Sequence, residues 1–126
     1  MNISCGTDII EIDRIKESIE EIGDKFLNRV YTKKEIEYCE SKKVQKYQHY
    51  AARFAVKEAV FKAISSNLKN KFDIEWKDIE TINDEQGKPF VRIKGEKLEN
   101  LDVSISHCKQ YALAMVIINR EKGDVP

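Results

Sequence analysis

From Tyr47 to Ser66 the chain carries an unbroken helical pattern, with Tyr47, Tyr50, Ala51, Phe54, Phe61 and Ile64 recurring at steps of three, four and seven. No proline interrupts it, since the two prolines stand at 89 and 126. A helix of roughly 20 residues is about 30 Å long, the width of a small domain, so the rest of the chain has to be arranged around it. With 126 residues and 41% of them apolar, the chain can build one core and not two, and a single domain over residues 1–126 is expected.

The two flanks of this helix read differently. Before it, Ile3, Cys5, Ile9 and Ile10 mark a strand over residues 2–10. An acidic amphipathic helix follows over 13–22, with Ile15, Ser18, Ile19 and Ile22 on one face, and Gly23 ends it. Thr32-Lys33-Lys34-Glu35 fits a capping box that opens a short helix through Cys39. After the long helix come strand-like runs at 77–82, 90–93, 101–106 and 111–118. Gly87-Lys88-Pro89 separates the first two and Cys108-Lys109-Gln110 the last two, each short enough for a hairpin. The class is α+β: N-terminal helices, one of them long, packed on an antiparallel sheet.

Charge is uneven along the chain. Its 22 basic and 22 acidic residues sum to zero, which argues against a uniformly basic binder of nucleic acid or membrane. Yet residues 1–40 hold 6 basic and 10 acidic side chains, 41–71 hold 8 and 1, and 72–126 hold 8 and 11. The middle segment is therefore a basic helix with a single acid, Glu58. A membrane span is not expected, because the longest apolar run, Ala112 to Ile118, falls far short of the roughly 20 residues needed. No basic leader opens the chain, and Cys5, Cys39 and Cys108 lack metal or redox spacing, so reduced thiols and a cytoplasmic location are expected.

Glu58 lies about 40° from Phe54 and about 60° from Phe61 around the helix, inside the apolar stripe. A carboxylate there needs a partner to stay charged. One reading is a structural ion pair with Lys62 at i, i+4. The other is a ligand for a cation. Asp8 raises the same choice: it follows Gly6-Thr7 on the first strand, where glycine permits a backbone bend that holds the carboxylate against the core, or the Asp caps a turn. Two carboxylates from distant segments beside a lysine-rich helix suit magnesium, which takes one or two protein carboxylates and completes its shell with water and phosphate oxygens. In Val103-Ser104-Ile105-Ser106-His107 the serines share one strand face, and His107 ends the strand where the turn can redirect it. No G-x-S-x-G, P-loop or G-x-G-x-x-G is present, which excludes the common serine-hydrolase and nucleotide-binding motifs.

Together these residues resemble the holo-[acyl-carrier-protein] synthase family of small 4′-phosphopantetheinyl transferases. The resemblance spans nearly the whole chain. It is carried by residues 6–14 (Gly6-Thr7-Asp8 through Asp13-Arg14), by Phe54-Ala55-Val56-Lys57-Glu58-Ala59 with Lys62-Ala63, by Thr32 with Glu35, by the Gly87-Lys88-Pro89 turn, and by Ser104-Ile105-Ser106-His107 followed by Ala112 and Ala114. It implies the phosphopantetheinyl transferase fold and a reaction. The 4′-phosphopantetheine of coenzyme A passes to a serine hydroxyl of apo-acyl carrier protein, releasing adenosine 3′,5′-bisphosphate and supporting fatty acid biosynthesis. It further implies Asp8 and Glu58 as Mg2+ ligands, Lys62 as stabiliser of developing charge, and Lys57 and Arg53 as phosphate contacts. Glu35 would orient or deprotonate the attacking serine through water. Gly87, Lys88, Pro89, Ser106 and His107 would line the coenzyme A site. Family members of this size are homotrimers with active sites between subunits. An acidic carrier would dock through Arg14, Lys16, Lys25 and Arg29, against the repulsion of Glu17, Glu20 and Glu21. The chain departs from the family at Ser65-Ser66-Asn67, where many members carry Gly-Thr-Gly. A non-catalytic anion-binding module would account for the lysines of 41–71 but not for Glu58, which subtracts from phosphate affinity. A purely structural interaction domain accounts for neither carboxylate.

Overall fold

The computed structural model describes residues 2–65 and 74–120. Strand β1 (Ile3–Glu11) leads directly into α1 (Ile12–Ile22), then α2 (Asp24–Val30), α3 (Lys33–Glu40) and the long α4 (Lys46–Ile64). Strands β2 (Ile79–Asn83), β3 (Pro89–Ile93), β4 (Glu96–Lys97), β5 (Leu101–His107) and β6 (Tyr111–Asn119) follow. They form two antiparallel sheets, one in the order β1-β6-β5 and one in the order β2-β3-β4. The α+β class and the hairpins at 87–89 and 108–110 are as expected; the strands divide between two sheets rather than forming one. The sequence reading has no helix at 24–30. Gly23, at φ 77, does end α1, and it also serves as the N-cap residue of α2. Ser66, Asn67, Lys69 and Lys71 lie outside the described residues.

The face of α4 that packs on the β1-β6-β5 sheet is built from small residues. Ala51, Ala55, Ala59 and Ala63 recur every four residues and are all buried, whereas Phe54, Phe61 and Tyr47 of the expected stripe are only half-buried. Bulk misled the sequence reading, because a short side chain lets backbone approach backbone. Gly6 in mid-strand shows how closely: a Cβ added there would stand 2.0 Å from the Ala59 carbonyl oxygen and 2.9 Å from the Ala63 nitrogen. Gly6 is thus required by contact with the helix, and its φ is not positive, so the expected backbone bend before Asp8 is replaced by regular strand. Opposite the same ridge, Ala112 and Ala114 of β6 are also fully buried.

A second constraint ties α3, α4 and the β2-β3-β4 sheet together. Lys57 and Glu35 are both buried, with Nζ 2.7 Å from Oε1 and no side-chain exposure on either partner. Lys57 Nζ also donates to the carbonyls of Trp76, at 2.9 Å, and Ile79. Glu35 accepts from the backbone N–H groups of Thr32 and Thr81, each at 3.0 Å. The first of these is half of the capping box expected from Thr32 and Glu35. Burial draws the Lys57 ammonium below its ordinary pKa, and the facing Glu35 carboxylate partly restores it. Two buried charges are costly, and complete hydrogen bonding offsets that cost here.

Both constraints are open to test. Gly6→Ala forces helix and strand apart and is expected to cost about 3 kcal/mol, near the upper end for overpacking, read as a lower urea-unfolding midpoint; an unchanged midpoint contradicts the contact. Lys57→Met strands a buried carboxylate and should cost about 3–5 kcal/mol, with Lys57→Met/Glu35→Gln the more stable of the two variants. A double variant whose loss equals the sum of the single losses would mean that the pair is not coupled.

Candidate active site

Asp8 points to the helix side of the sheet, two residues beyond the Gly6 crossing and on the same strand face. Its side chain is 18% exposed, and Lys62 reaches it from the last turn of α4, with Nζ 3.3 Å from Oδ1 and 3.0 Å from the Thr7 carbonyl. Glu58 stands one helical turn before Lys62. It is half-buried and makes no ion pair with Lys62 among the described residues; its Oε2 accepts a 3.4 Å hydrogen bond from the indole Nε1–H of Trp76. Asp8 and Glu58 line one cleft of about 510 Å3, together with Arg14, Ser18, Phe26, Phe54 and Tyr111. The structure therefore joins the two suspect carboxylates, separated by 50 positions in the sequence, on one wall.

No group of three or more His, Cys, Asp or Glu side chains forms an all-protein metal cage among the described residues. Two carboxylates beside a lysine fit magnesium, which keeps several waters and shares its shell with phosphate.

Arg53, His107 and Pro89 of the expected coenzyme A contacts meet in a second cleft of about 330 Å3, joined by His49, Asn83 and Tyr38. Arg53 is 3% exposed, and its guanidinium lies 4.0 Å from the centre of the Tyr38 ring. Its Nη2 donates to Asn83 Oδ1 at 2.8 Å, while its Nε has no partner among the described residues. Asn83 passes the connection on, donating to the Gly87 carbonyl at 2.9 Å, so the arginine and the Gly87 turn are fixed to each other. Gly87 adopts φ 84, the left-handed conformation that glycine tolerates, and Lys88 lies over Asp102 at 3.9 Å. His49 and His107 are ring neighbours with centroids 6.4 Å apart. Burial, with the positive charge of Arg53 and Lys42 added, pulls the His49 pKa below its ordinary value.

Three expected site residues stand elsewhere. Lys57 is fully buried, and Glu35 is 1% exposed with both carboxylate oxygens occupied, so the two are spent on each other and neither lines the carboxylate cleft or the second cleft. Ser106 alternates away from His107 onto the other face of β5. Of the docking candidates, Arg14 lines the carboxylate cleft; Lys16 lies over the Tyr47 ring at 5.5 Å, Arg29 over Trp76 at 5.9 Å, and Lys25 is exposed on α2. Sequence reasoning missed His49, Asn83 and Trp76. His49 stands four residues before Arg53 on α4, a spacing that could have revealed it. Asn83 and Trp76 carry no such signal, because they arrive from a sheet and a turn far away in sequence.

The chain is similar along most of its length to known proteins. Residues 4–116 match the model of the 4′-phosphopantetheinyl transferase superfamily. A holo-[acyl-carrier-protein] synthase of Ruminiclostridium cellulolyticum is 48% identical over 94% of this chain and 93% of its own length. Among solved structures, the Bacillus anthracis holo-(acyl-carrier-protein) synthase in complex with CoA (3′,5′-ADP) superimposes with a TM-score of 0.73 at 36% identity, covering 91% of this chain and 94% of that one. The Helicobacter pylori holo-[acyl-carrier-protein] synthase in complex with coenzyme A does so with a TM-score of 0.76 at 30% identity, covering 91% and 99%. With the family model, the sequence of a relative and the fold of solved structures matching along nearly its whole length, the chain belongs to the 4′-phosphopantetheinyl transferase superfamily and, within it, to the holo-[acyl-carrier-protein] synthase family of enzymes.

Proposed function

We propose that this chain transfers the 4′-phosphopantetheine of coenzyme A to a serine hydroxyl of an apo-acyl carrier protein, with Mg2+, releasing adenosine 3′,5′-bisphosphate in support of fatty acid biosynthesis. The observation that carries the reading is the meeting of Asp8 and Glu58 in one cleft beside Lys62. A simple anion-binding surface has no use for two carboxylates at its centre. The relatives solved with coenzyme A support it as the donor. Three unpaired cysteines suit a reducing cytoplasm.

In this reaction the serine oxygen attacks the pantetheine-side phosphorus of the pyrophosphate. A P–O bond forms there, the bridging P–O bond breaks, and its electron pair leaves on the adenosine bisphosphate. Catalysis of such a transfer is mostly positioning and electrostatic stabilisation. Asp8 and Glu58 would hold the metal, which when bound neutralises pyrophosphate charge. Lys62, with its side chain 58% exposed, can turn from Asp8 towards the phosphates as negative charge builds. Arg14, on the wall of the same cleft, can meet the acidic carrier at the site of transfer. The serine proton passes to a water molecule in the cleft, because Glu35 is enclosed. In the second cleft, Arg53 offers a buried N–H without a partner among the described residues, suited to a phosphate of the adenosine end. His107 and Pro89 line it, and the Gly87-Lys88 turn, which leads into Pro89, is tied to it through Asn83.

We also propose a homotrimer with active sites between subunits. The face of the β1-β6-β5 sheet turned away from α4 is apolar and open: Ile9 is 62% exposed, Ile3 51%, Met115 49%, Tyr111 and Ile117 43%, and Leu113 39%. A continuous apolar face of this kind calls for cover by another chain. Tyr111 and Ile9 belong both to this face and to the carboxylate cleft, which places the site at its border.

After incubation with this protein, coenzyme A and Mg2+, the intact mass of an apo-acyl carrier protein should rise by one phosphopantetheine. Asp8→Asn and Glu58→Gln should each lower the rate by about a hundredfold or more with the fold retained, and an unmodified carrier in the wild-type reaction would refute the activity. Light scattering on a sizing column should give three chains per particle, reduced to one by Leu113→Asp/Met115→Asp. A wild-type monomer with full activity would remove the trimer.

A further inference from the structure

Trp76 is the chain's one tryptophan, and it is gripped from both ends by consecutive residues of α4. Its carbonyl oxygen accepts from Lys57 Nζ at 2.9 Å, and its indole Nε1–H donates to Glu58 Oε2 at 3.4 Å. The backbone around it is closed by a turn over Trp76–Asp78, in which the Glu75 N–H donates to Asp78 Oδ2 at 2.8 Å. The ring is steadied by Phe54, with centroids 5.9 Å apart, and by the Arg29 guanidinium at 5.9 Å from its centre. The tryptophan thus has a fixed backbone, a confined ring and one polar atom, and that atom is spent on Glu58.

We propose that Trp76 is a positioning residue for Glu58. Its indole N–H holds Oε2 so that Oε1, which accepts no hydrogen bond among the described residues, is presented to the cleft shared with Asp8. The proposal rests on the reading of Asp8 and Glu58 as metal ligands and adds what aims one of them. A glutamate side chain has several rotatable bonds and loses rotamer freedom when it is fixed. An outer-shell hydrogen bond that fixes it beforehand removes that cost from metal binding. Removing such a partner lowers metal affinity or activity by about 10–100-fold. The same arrangement gives the buried Lys57–Glu35 pair a consequence beyond packing. Through the Trp76 carbonyl, the pair locks the residue that orients Glu58.

The test separates an orienting N–H from an aromatic that merely packs. Trp76→Phe keeps a ring against Phe54 and loses the donor; benzothienylalanine at position 76 keeps the indole shape and also loses it, which controls for packing. Binding of Mn2+ in the presence of coenzyme A is followed by the electron paramagnetic resonance signal of the free ion for wild type, both position-76 replacements and Asp8→Asn. Both replacements should weaken Mn2+ binding about tenfold, raise the Mg2+ concentration for half-maximal turnover by a similar factor, and leave the KM for coenzyme A unchanged at saturating Mg2+. Wild-type tryptophan emission should shift on titration with Mg2+ and coenzyme A, and Glu58→Gln should abolish the shift. If Asp8→Asn weakens Mn2+ binding while both replacements bind like wild type, the positioning role is overturned and the metal site stands. If Asp8→Asn also binds like wild type, the metal reading itself fails, and the role of Trp76 with it.

Discussion

The arrangement of this protein depends on how closely one strand can approach one helix. Gly6 brings the β1 backbone onto the α4 ridge of Ala55, Ala59 and Ala63, where even a methyl group would collide with the Ala59 carbonyl. A strand held that tightly has little freedom in register. Asp8, two residues further along the same face, is therefore delivered to the turn of α4 that carries Glu58 and Lys62. The site is a by-product of backbone packing: move the strand outward by one side-chain layer and the two carboxylates no longer share a cleft. The same closeness commits β6, paired with β1 over its whole length, to alanines at 112 and 114.

Consecutive residues of α4 have opposite fates, and the difference shapes the chemistry. Lys57 turns into the protein, paired with Glu35 and bonded to two carbonyls; Glu58 turns to the cleft with one carboxylate oxygen that accepts no hydrogen bond among the described residues. The helix is buried nearly all round, between the large sheet, α1, α3 and the β2 strand, so its basic residues cannot form the solvated face that charge counting suggests. Lys57 is structural, Arg53 is buried against Tyr38 in the second cleft, and Lys62 alone of the three reaches out into solvent. What looked like a single basic segment is three separate electrostatic tasks.

The elements with strong periodicity or a defined signature were legible from residues alone: the capping box at Thr32, the long helix, the two hairpins and the first strand. Of the long helix's expected stripe, Tyr50, Ala51 and Ile64 are buried while Tyr47, Phe54 and Phe61 are half-buried, and Ala55, Ala59 and Ala63 carry no bulk to reveal them, since small residues contribute through the approach they permit rather than the area they bury. α2 escaped notice because seven residues after a glycine give too short a window for a pattern. Asp8 and Glu58 were legible as carboxylates in uncomfortable places. Trp76 and Asn83 were not, since their hydrogen bonds with Lys57, Glu58 and Arg53 cross gaps that only the tertiary fold closes. Glu35 and Lys57 show the converse: charged residues within a motif can be spent on each other, here as a fully buried ion pair.

Everything proposed for the site turns on Asp8 and Glu58 holding one metal ion between them. Crystals grown with coenzyme A and Mn2+ test it directly through the anomalous signal of the metal. One strong anomalous peak is expected, in contact with both carboxylates and with phosphate oxygens of coenzyme A. A peak that touches neither carboxylate, with the phosphates ordered, would contradict it.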